Sequence, residues 1–147
     1  MTASRGAGGP AGRPSPRALL RVLDANCNRV REGLRVAEDA ARFLLNDPAL
    51  TARLKRLRHA VTAAEKALFR SGLSRTGARD VAGDRGRGDR ERSEKRRDGV
   101  KDLIRANLKR AQEGLRSLEE FSKLKGGPVG ARFKKIRYEC YRVEEGL

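Results

Sequence analysis

Aromatic residues are scarce in this chain, which has four Phe, two Tyr and no Trp among its 147 residues. With 37% charged and 37% hydrophobic residues, the composition suits a helical bundle better than a β-sandwich. No stretch approaches the ~18 consecutive apolar residues of a transmembrane helix, so the sequence predicts no contact with a membrane interior. The length suffices for one domain with a hydrophobic core of its own.

The residues that most often carry catalysis are also few. The single histidine, His59, is predicted on the outward face of a helix, and Cys27 and Cys140 lack a metal-binding spacing. The chain has no G-x-x-x-x-G-K-[ST] phosphate loop and no G-x-G-x-x-G fingerprint. No Ser/His/Asp or Cys/His set can be assembled from these residues. The two cysteines fall on apolar seams, which favours a reducing, cytoplasmic setting.

Positive charge is abundant, with 35 basic residues against 19 acidic ones and a net charge of +16. Such an excess attracts anions, so the partner classes are nucleic acid, acidic lipid and phosphorylated small molecules. Residues 1–17 are rich in Gly, Pro, Ser and Arg and lack the apolar stretch of a signal peptide. We predict a disordered tail there, followed by a single helical domain over 18–147.

Four segments carry apolar residues at alternating spacings of four and three, which is typical of amphipathic helices. The predicted helices cover about 18–45, 49–70, 94–124 and 129–145. The first apolar seam runs from Leu23 to Leu44. The breaks within each pair of helices are N-D-P at 46–48, between the first and second, and G-G-P at 126–128, between the third and fourth. Such short links favour two antiparallel hairpins. The predicted fold is therefore an all-α four-helix bundle of two antiparallel hairpins, joined by a long Gly/Arg/Asp loop at 71–92.

The two hairpins are copies of one unit. Residues 25–39 and 106–120 match at an offset of 81, with eight of fifteen positions identical. The duplication continues into the second helix of each pair, where L-K-R-L-R at 54–58 resembles F-K-K-I-R at 133–137, at an offset of 79. Two copies of a helical unit tend to build a pseudo-symmetric bundle.

Both copies keep an Asn, an Arg and a Gly beside the apolar seam: Asn26, Arg29 and Gly33 in the first, Asn107, Arg110 and Gly114 in the second. Glycine inside a helix costs about 1 kcal/mol relative to Ala, so another backbone or a ligand is expected close by. An Asn amide and an Arg fork suit a phosphate or the edge of a heterocycle. Equally, the Asn could cap a neighbouring helix and the Gly could serve close packing.

Charged residues beside the seams form a second candidate set. Glu38 and Glu119 lie next to the apolar stripe and are candidates for a ligand or metal contact. Arg58 and Arg137, which each follow a seam residue, are candidate anion contacts. Glu32 and Arg35, with their counterparts in the second copy, belong to charge ladders that usually only decorate a solvated helix face.

The loop at 79–84 reads R-D-V-A-G-D and carries a third candidate set. Asp80 and Asp84 could hold Mg²⁺ through their carboxylates, while Arg79 and backbone N–H groups could bind nucleotide phosphates. The alternative is a flexible loop whose Arg and Asp side chains neutralise one another.

Four motifs occur in order along the chain: A-N-x-x-R-x-x-E-G-L-R-x-x-E-D-x-A-R-F at 25–43, R-D-x-x-G-D at 79–84, A-N-L-K-R-A-Q-E-G-L-R-S-L-E-E-F at 106–121 and I-R-Y-E-C-Y at 136–141. Together they resemble the small hydroxymethylpyrimidine-phosphate kinases of thiamine biosynthesis, a family found alone or fused ahead of thiamine phosphate synthase. The resemblance implies transfer of the ATP γ-phosphoryl to hydroxymethylpyrimidine phosphate, with ATP as co-substrate.

Phosphoryl transfer requires positioning, cations on both phosphates and usually Mg²⁺, which the candidate Arg and Asp residues could supply. Two other functions remain open. A basic nucleic-acid-binding module fits the net charge, although no aromatic stacking set accompanies it. A non-catalytic partner domain of thiamine phosphate synthase fits the fusion, and pairing of two chains into a homodimer is also open.

Overall fold

The computed structural model describes residues 12–70 and 99–147. Helix α1 spans Pro16–Asp39 and runs into a π-helical turn at Ala40–Leu44, and α2 spans Pro48–Leu68. Helix α3 spans Val100–Lys125 and α4 spans Val129–Glu145. These two ranges contain no strand, and the predicted all-α bundle is confirmed. Residues 1–11 of the predicted tail and the predicted loop at 71–92 lie outside the described ranges.

Capping residues decide where the helices begin. Helix α1 begins two residues before the predicted start, because the Ser15 hydroxyl accepts a hydrogen bond from the Ala18 N–H at 3.1 Å and Pro16 follows it. Helix α2 begins in the same way, with an Asp47 oxygen 2.9 Å from the Leu50 N–H.

Helix α3 begins at Val100 rather than near 94, because its N-cap Gly99 is in an extended conformation. It ends at Gly126 and Gly127, which adopt φ of 84° and 86°. That left-handed conformation suits glycine and stops the helix before Pro128.

The π-helical turn after α1 corrects one prediction. The Leu45 N–H bonds to the Ala40 carbonyl five residues back, at 3.0 Å, which widens the turn. Leu44, predicted as the last residue of the first apolar seam, is consequently rotated outward and is 62% exposed. The seam ends instead at Ala41, which is fully buried.

Each helix packs against two neighbours: α1 against α2 and α3, and α4 against the same two. The short links make each hairpin antiparallel. The Lys125 ammonium donates to the Leu68 carbonyl, so the C-terminal ends of α2 and α3 lie together. Arg70 and Gly99, which flank the undescribed segment, therefore lie at opposite ends of a bundle about 39 Å long, the length of a 26-residue helix.

The predicted apolar seams meet in one core. Its members include Leu34, Leu54, Leu115 and Phe133, all with no exposed surface. Cys140 is also fully buried, and this burial raises the pKa of its thiol to about 12, so that the group behaves as a small apolar side chain. His59 is exposed, as predicted. No helix within the described ranges is both long and apolar enough to cross a bilayer.

The two copies cross at the glycine that each of them carries. A Cβ atom placed on Gly33 would lie 2.7 Å from the Asn107 backbone oxygen, and one on Gly114 would lie 2.7 Å from a Val30 methyl and 3.4 Å from the Asn26 oxygen. Gly33 faces the second copy's Asn, and Gly114 faces the first copy's. The contact is thus reciprocal, and helices α1 and α3 run antiparallel about a pseudo-twofold axis.

Candidate functional site

An ion pair joins the two helices of the first hairpin. The Arg58 Nε donates to Glu38 Oε2 at 2.7 Å, and its Nη2 lies 3.4 Å from Oε1. Glu38 is buried, with a side chain only 7% exposed. The hydrogen bond from Arg58 lowers the pKa of Glu38 against the opposing effect of burial, and the same bond raises the pKa of Arg58. The carboxylate therefore stays charged inside the hairpin.

The second hairpin repeats this pair. The Arg137 Nη2 donates to Glu119 Oε2 at 2.8 Å, and Nη1 donates to the Tyr141 hydroxyl oxygen at 3.1 Å. The Arg137 guanidinium also lies 5.3 Å from the ring centre of Tyr138 and 5.8 Å from that of Tyr141. Burial lowers the pKa of Arg137, but the bonds to Tyr141 and Glu119 outweigh it, and the pKa is raised overall.

In each hairpin a second polar contact lies about two helical turns from the pair of Glu and Arg. The Arg31 Nε lies 3.3 Å from Glu65 Oε2 in the first hairpin. At the equivalent positions of the second, the Gln112 amide donates to Glu144 Oε2 at 2.6 Å. The glutamates match in both halves, whereas Arg31 is replaced by an uncharged residue. The first hairpin consequently keeps one more guanidinium along this line.

The repeated asparagines make contacts within their own helices. The Asn26 side chain donates to the Val22 carbonyl and the Asn107 side chain to the Leu103 carbonyl, both at 2.9 Å. Asn26 also accepts a hydrogen bond from Arg29 at 2.9 Å. Arg29 and Arg110 are exposed. Close packing accounts for the glycines beside these residues, and the role of the asparagines as ligand contacts remains a prediction.

A groove of about 500 Å³ lies along the surface between α1 and α2. Its lining residues come from one face of each helix: Asn28, Arg31, Glu32, Arg35, Val36, Arg58 and Thr62. A second depression of about 360 Å³ shares Arg31 and Thr62 with it and continues toward Lys66. Of the residues predicted as site candidates, Arg58 lines the groove. Glu38 lies behind it, and neither repeated asparagine lines either depression.

Three guanidinium groups face this groove, and each is held by a neighbour. Arg58 is held by Glu38, Arg35 lies 3.5 Å from Asp39, and Arg31 donates to the Asn28 side chain. The two carboxylates do not line the groove, whose one acidic lining residue is Glu32. Anchored Arg forks of this kind match the paired oxygens of a phosphate group. A phosphate placed here would share the guanidinium groups with their present partners Glu38, Asp39 and Asn28.

Sequence reasoning assigned Glu32 and Arg35 to a solvated ladder and did not single out Arg31 or Thr62. Predicting a groove between two helices requires their relative position, and a helical wheel of one helix does not give it. A usable signal was present in the duplication: position 31 is Arg in one copy and Gln in the other, and position 62 is Thr against Tyr. Differences between copies of a repeat mark where the halves have diverged.

The predicted loop candidates Arg79, Asp80 and Asp84 lie outside the described residues. Within the ranges that are described, no three His, Cys, Asp or Glu side chains stand close enough together to hold a metal ion. The described residues therefore do not form a Mg²⁺ site from protein ligands alone.

Fold and site together define a helical bundle of two duplicated hairpins, with an arginine-lined groove on the first. Residues 21–146 match the model of the ThiD2 family, and the chain belongs to that family. Among curated proteins, it is 45% identical to the thiamine-phosphate synthase of Rhodopirellula baltica over 125 residues, which cover 85% of this chain and 33% of that protein. It is 41% identical to the thiamine-phosphate synthase of Synechocystis sp. over 133 residues, covering 90% of this chain and 37% of that protein.

The chain thus spans about a third of the length of the curated relatives that it matches. No solved structure matches it. The homology links the chain to thiamine biosynthesis, the pathway expected from its motifs.

Proposed function

We propose that this protein is a phosphotransferase of thiamine biosynthesis, which transfers the ATP γ-phosphoryl to hydroxymethylpyrimidine phosphate and yields the diphosphate. The observation that carries the proposal is the groove between α1 and α2. It presents three anchored guanidinium groups in a space suited to a small phosphorylated ligand. Membership of the ThiD2 family and relatives named thiamine-phosphate synthase support the pathway.

The reaction needs little from the protein beyond positioning. An oxygen of the acceptor phosphate forms a bond to the γ-phosphorus, the bond from that phosphorus to the β-γ bridging oxygen breaks, and ADP leaves with the electron pair. The acceptor is already ionised at neutral pH, so no strong general base is required. This agrees with a chain whose single histidine is exposed.

Arg31, Arg35 and Arg58 have the roles of neutralising and orienting one phosphate-bearing ligand. Arg58 is held by the buried Glu38 and loses little conformational freedom when the ligand binds, which favours binding, whereas the more exposed Arg35 has to be ordered. Mg²⁺, when bound, would neutralise the nucleotide phosphates. The prediction that Asp80 and Asp84 hold it, with Arg79 on the phosphates, comes from the sequence alone and stays a prediction.

The test is an assay of ADP formation with the purified chain, ATP and Mg²⁺, across a panel of thiamine precursors. We expect ADP only when hydroxymethylpyrimidine phosphate is present, in equal amount to the diphosphate product. Reactions without acceptor, and with the unphosphorylated pyrimidine, are the controls. ADP release that is the same with and without acceptor would indicate a simple ATPase and contradict the proposal.

A second candidate function is a partner domain for thiamine phosphate synthase. The observation that favours it is the size of the relatives, in which the matched region forms about a third of a chain with that name. We expect such a domain to co-purify with the synthase from the same organism and to alter its turnover without hydrolysing ATP. Acceptor-dependent ADP formation by the isolated chain would decide for the kinase.

A further inference from the structure

The two hairpins carry equivalent ion pairs but differ beside them. Thr62 on α2 corresponds to Tyr141 on α4, at the offset of 79 residues. The Thr62 hydroxyl donates to the Arg58 carbonyl of its own helix at 3.2 Å, so this short side chain stays against the backbone. The Tyr141 hydroxyl accepts from the Arg137 guanidinium at 3.1 Å, and its ring lies alongside.

The difference between Thr62 and Tyr141 changes the solvent exposure of the neighbouring guanidinium group. The Arg58 side chain is 24% exposed, and that of Arg137 is 11% exposed. Tyr138, at the position of His59, meets the Tyr141 ring edge to face with their centres 5.8 Å apart. Two aromatic rings therefore cover the arginine of the second hairpin, while the groove opens beside the arginine of the first.

We infer that the first hairpin holds the phosphate-binding groove, and that the small side chain of Thr62 keeps it open beside Arg58. In the second hairpin the rings of Tyr138 and Tyr141 cover Arg137, and the depression of about 420 Å³ beside them is lined by two glutamates and one arginine, Glu144, Glu145 and Arg142, which disfavours an anion. The ligand class is a compact phosphate or diphosphate group, because the groove offers Arg forks at Arg31, Arg35 and Arg58. The identity of the natural ligand rests on the proposed function. The choice of the first hairpin over the second rests on the side chains of Thr62, Tyr138 and Tyr141, which the structure describes.

A matched pair of variants tests the choice of half. Arg35 and Arg116 occupy equivalent positions 81 residues apart and are similarly exposed, at 58% and 55%. Each lies near an acidic residue four positions on, Asp39 and Glu120 respectively. Arg35 lines the groove, whereas Arg116 belongs to the covered hairpin. Replacing either with Gln removes one positive charge from an exposed helix position. Arg116 also lies 3.3 Å from Glu119, so its replacement removes one further contact.

The measurement is isothermal titration of the full chain with inorganic pyrophosphate at fixed ionic strength. We expect Arg35→Gln to weaken binding about tenfold, through loss of a charge-assisted contact, and Arg116→Gln to change it by less than about twofold. Equal losses in the two variants would mean that the net charge of +16 attracts the anion without a site, and would overturn the inference.

Thr62 provides a second, steric test. Thr62→Tyr should remove pyrophosphate binding, whereas Thr62→Ser, which keeps a small hydroxyl side chain, should retain it. Thermal unfolding followed by circular dichroism establishes that each variant is folded. A folded Thr62→Tyr protein that binds like the wild type would overturn the role of this residue. If that variant does not fold, the comparison of Arg35 with Arg116 decides alone.

Binding and turnover together separate this inference from the proposed function. One outcome would contradict the inference and leave the kinase proposal intact. It is ADP formation that depends on the pyrimidine phosphate, together with equal pyrophosphate binding by Arg35→Gln and Arg116→Gln. If the two variants differ in pyrophosphate binding as expected but no ADP forms in response to the acceptor, the inference is supported and the kinase proposal is contradicted.

Discussion

The reciprocal crossing of α1 and α3 allows one perturbation to be worked through in detail. Gly33→Ala adds a single methyl group where a Cβ atom would lie 2.7 Å from the Asn107 backbone oxygen. Ordinary contacts begin at 3.4 Å, so the two atoms must separate by about 0.7 Å. The oxygen belongs to a packed helix and cannot turn away as a side chain could. The substitution must therefore shift α1 against α3.

Two opposing free energies set the result. Alanine is favoured over glycine inside a helix by about 1 kcal/mol. Overpacking against a backbone atom in a close-packed interface costs about 2–3 kcal/mol, the upper part of the usual range. The net loss of unfolding free energy is about 1–2 kcal/mol, or roughly 3–8 °C in melting temperature for a domain of this size.

Urea and thermal unfolding of wild type and variants measure this difference. Gly146→Ala is the control, because its Cβ atom would meet nothing closer than 3.5 Å. It should leave stability unchanged or slightly raised. Gly114→Ala should also destabilise, because its closest neighbour is a methyl group of Val30, a fully buried β-branched side chain with one preferred rotamer in a helix. A Gly33→Ala protein more stable than wild type would refute the close crossing and return the glycine to the candidate ligand contacts.

Three further predictions concern charge and chemistry. Glu38→Gln should cost about 1.5–3 kcal/mol at pH 7, because Arg58 loses its charged partner. Since the pKa of Glu38 is lowered from its ordinary 4.5, the stabilisation is present above that pH and lost as the pH falls through the folded-state pKa, so wild type and variant should converge in urea midpoint in acid. The Cys140 thiol, with its pKa raised to about 12, should resist iodoacetamide at pH 8 until urea unfolds the chain; rapid labelling of the folded protein would contradict its burial. Asp80→Asn and Asp84→Asn should abolish acceptor-dependent ADP formation with little change in melting temperature, and normal turnover in both would remove the loop from the mechanism.

Much of the fold could be read from local patterns. The alternating spacing of apolar residues predicted four helices because each helix needs one buried stripe, and that requirement is visible along the chain. Boundaries were less certain, because a cap depends on backbone conformation. Gly99 begins α3 later than the predicted start near 94, and the π-helical turn moved Leu44 from the predicted core to the surface.

The candidate site was harder to predict, for a geometric reason. Repetition drew attention to Asn26 and Asn107, yet their side chains bond within their own helices. The groove is formed by residues of two helices that approach only after the hairpin closes. Arg31 and Thr62 lie 31 positions apart, and neither stands out on its own helix.

The sequence by itself determined the number of helices, their pairing into hairpins and the duplication, because periodicity, breaker residues and repetition are properties of the linear chain. The tertiary structure decided which of the repeated residues hold the bundle together and which remain open. Glu38 and Glu119 are recognisable as charges beside a seam. That each is matched with an arginine, and that aromatic rings cover one arginine and not the other, depends on distances between helices that no local pattern contains.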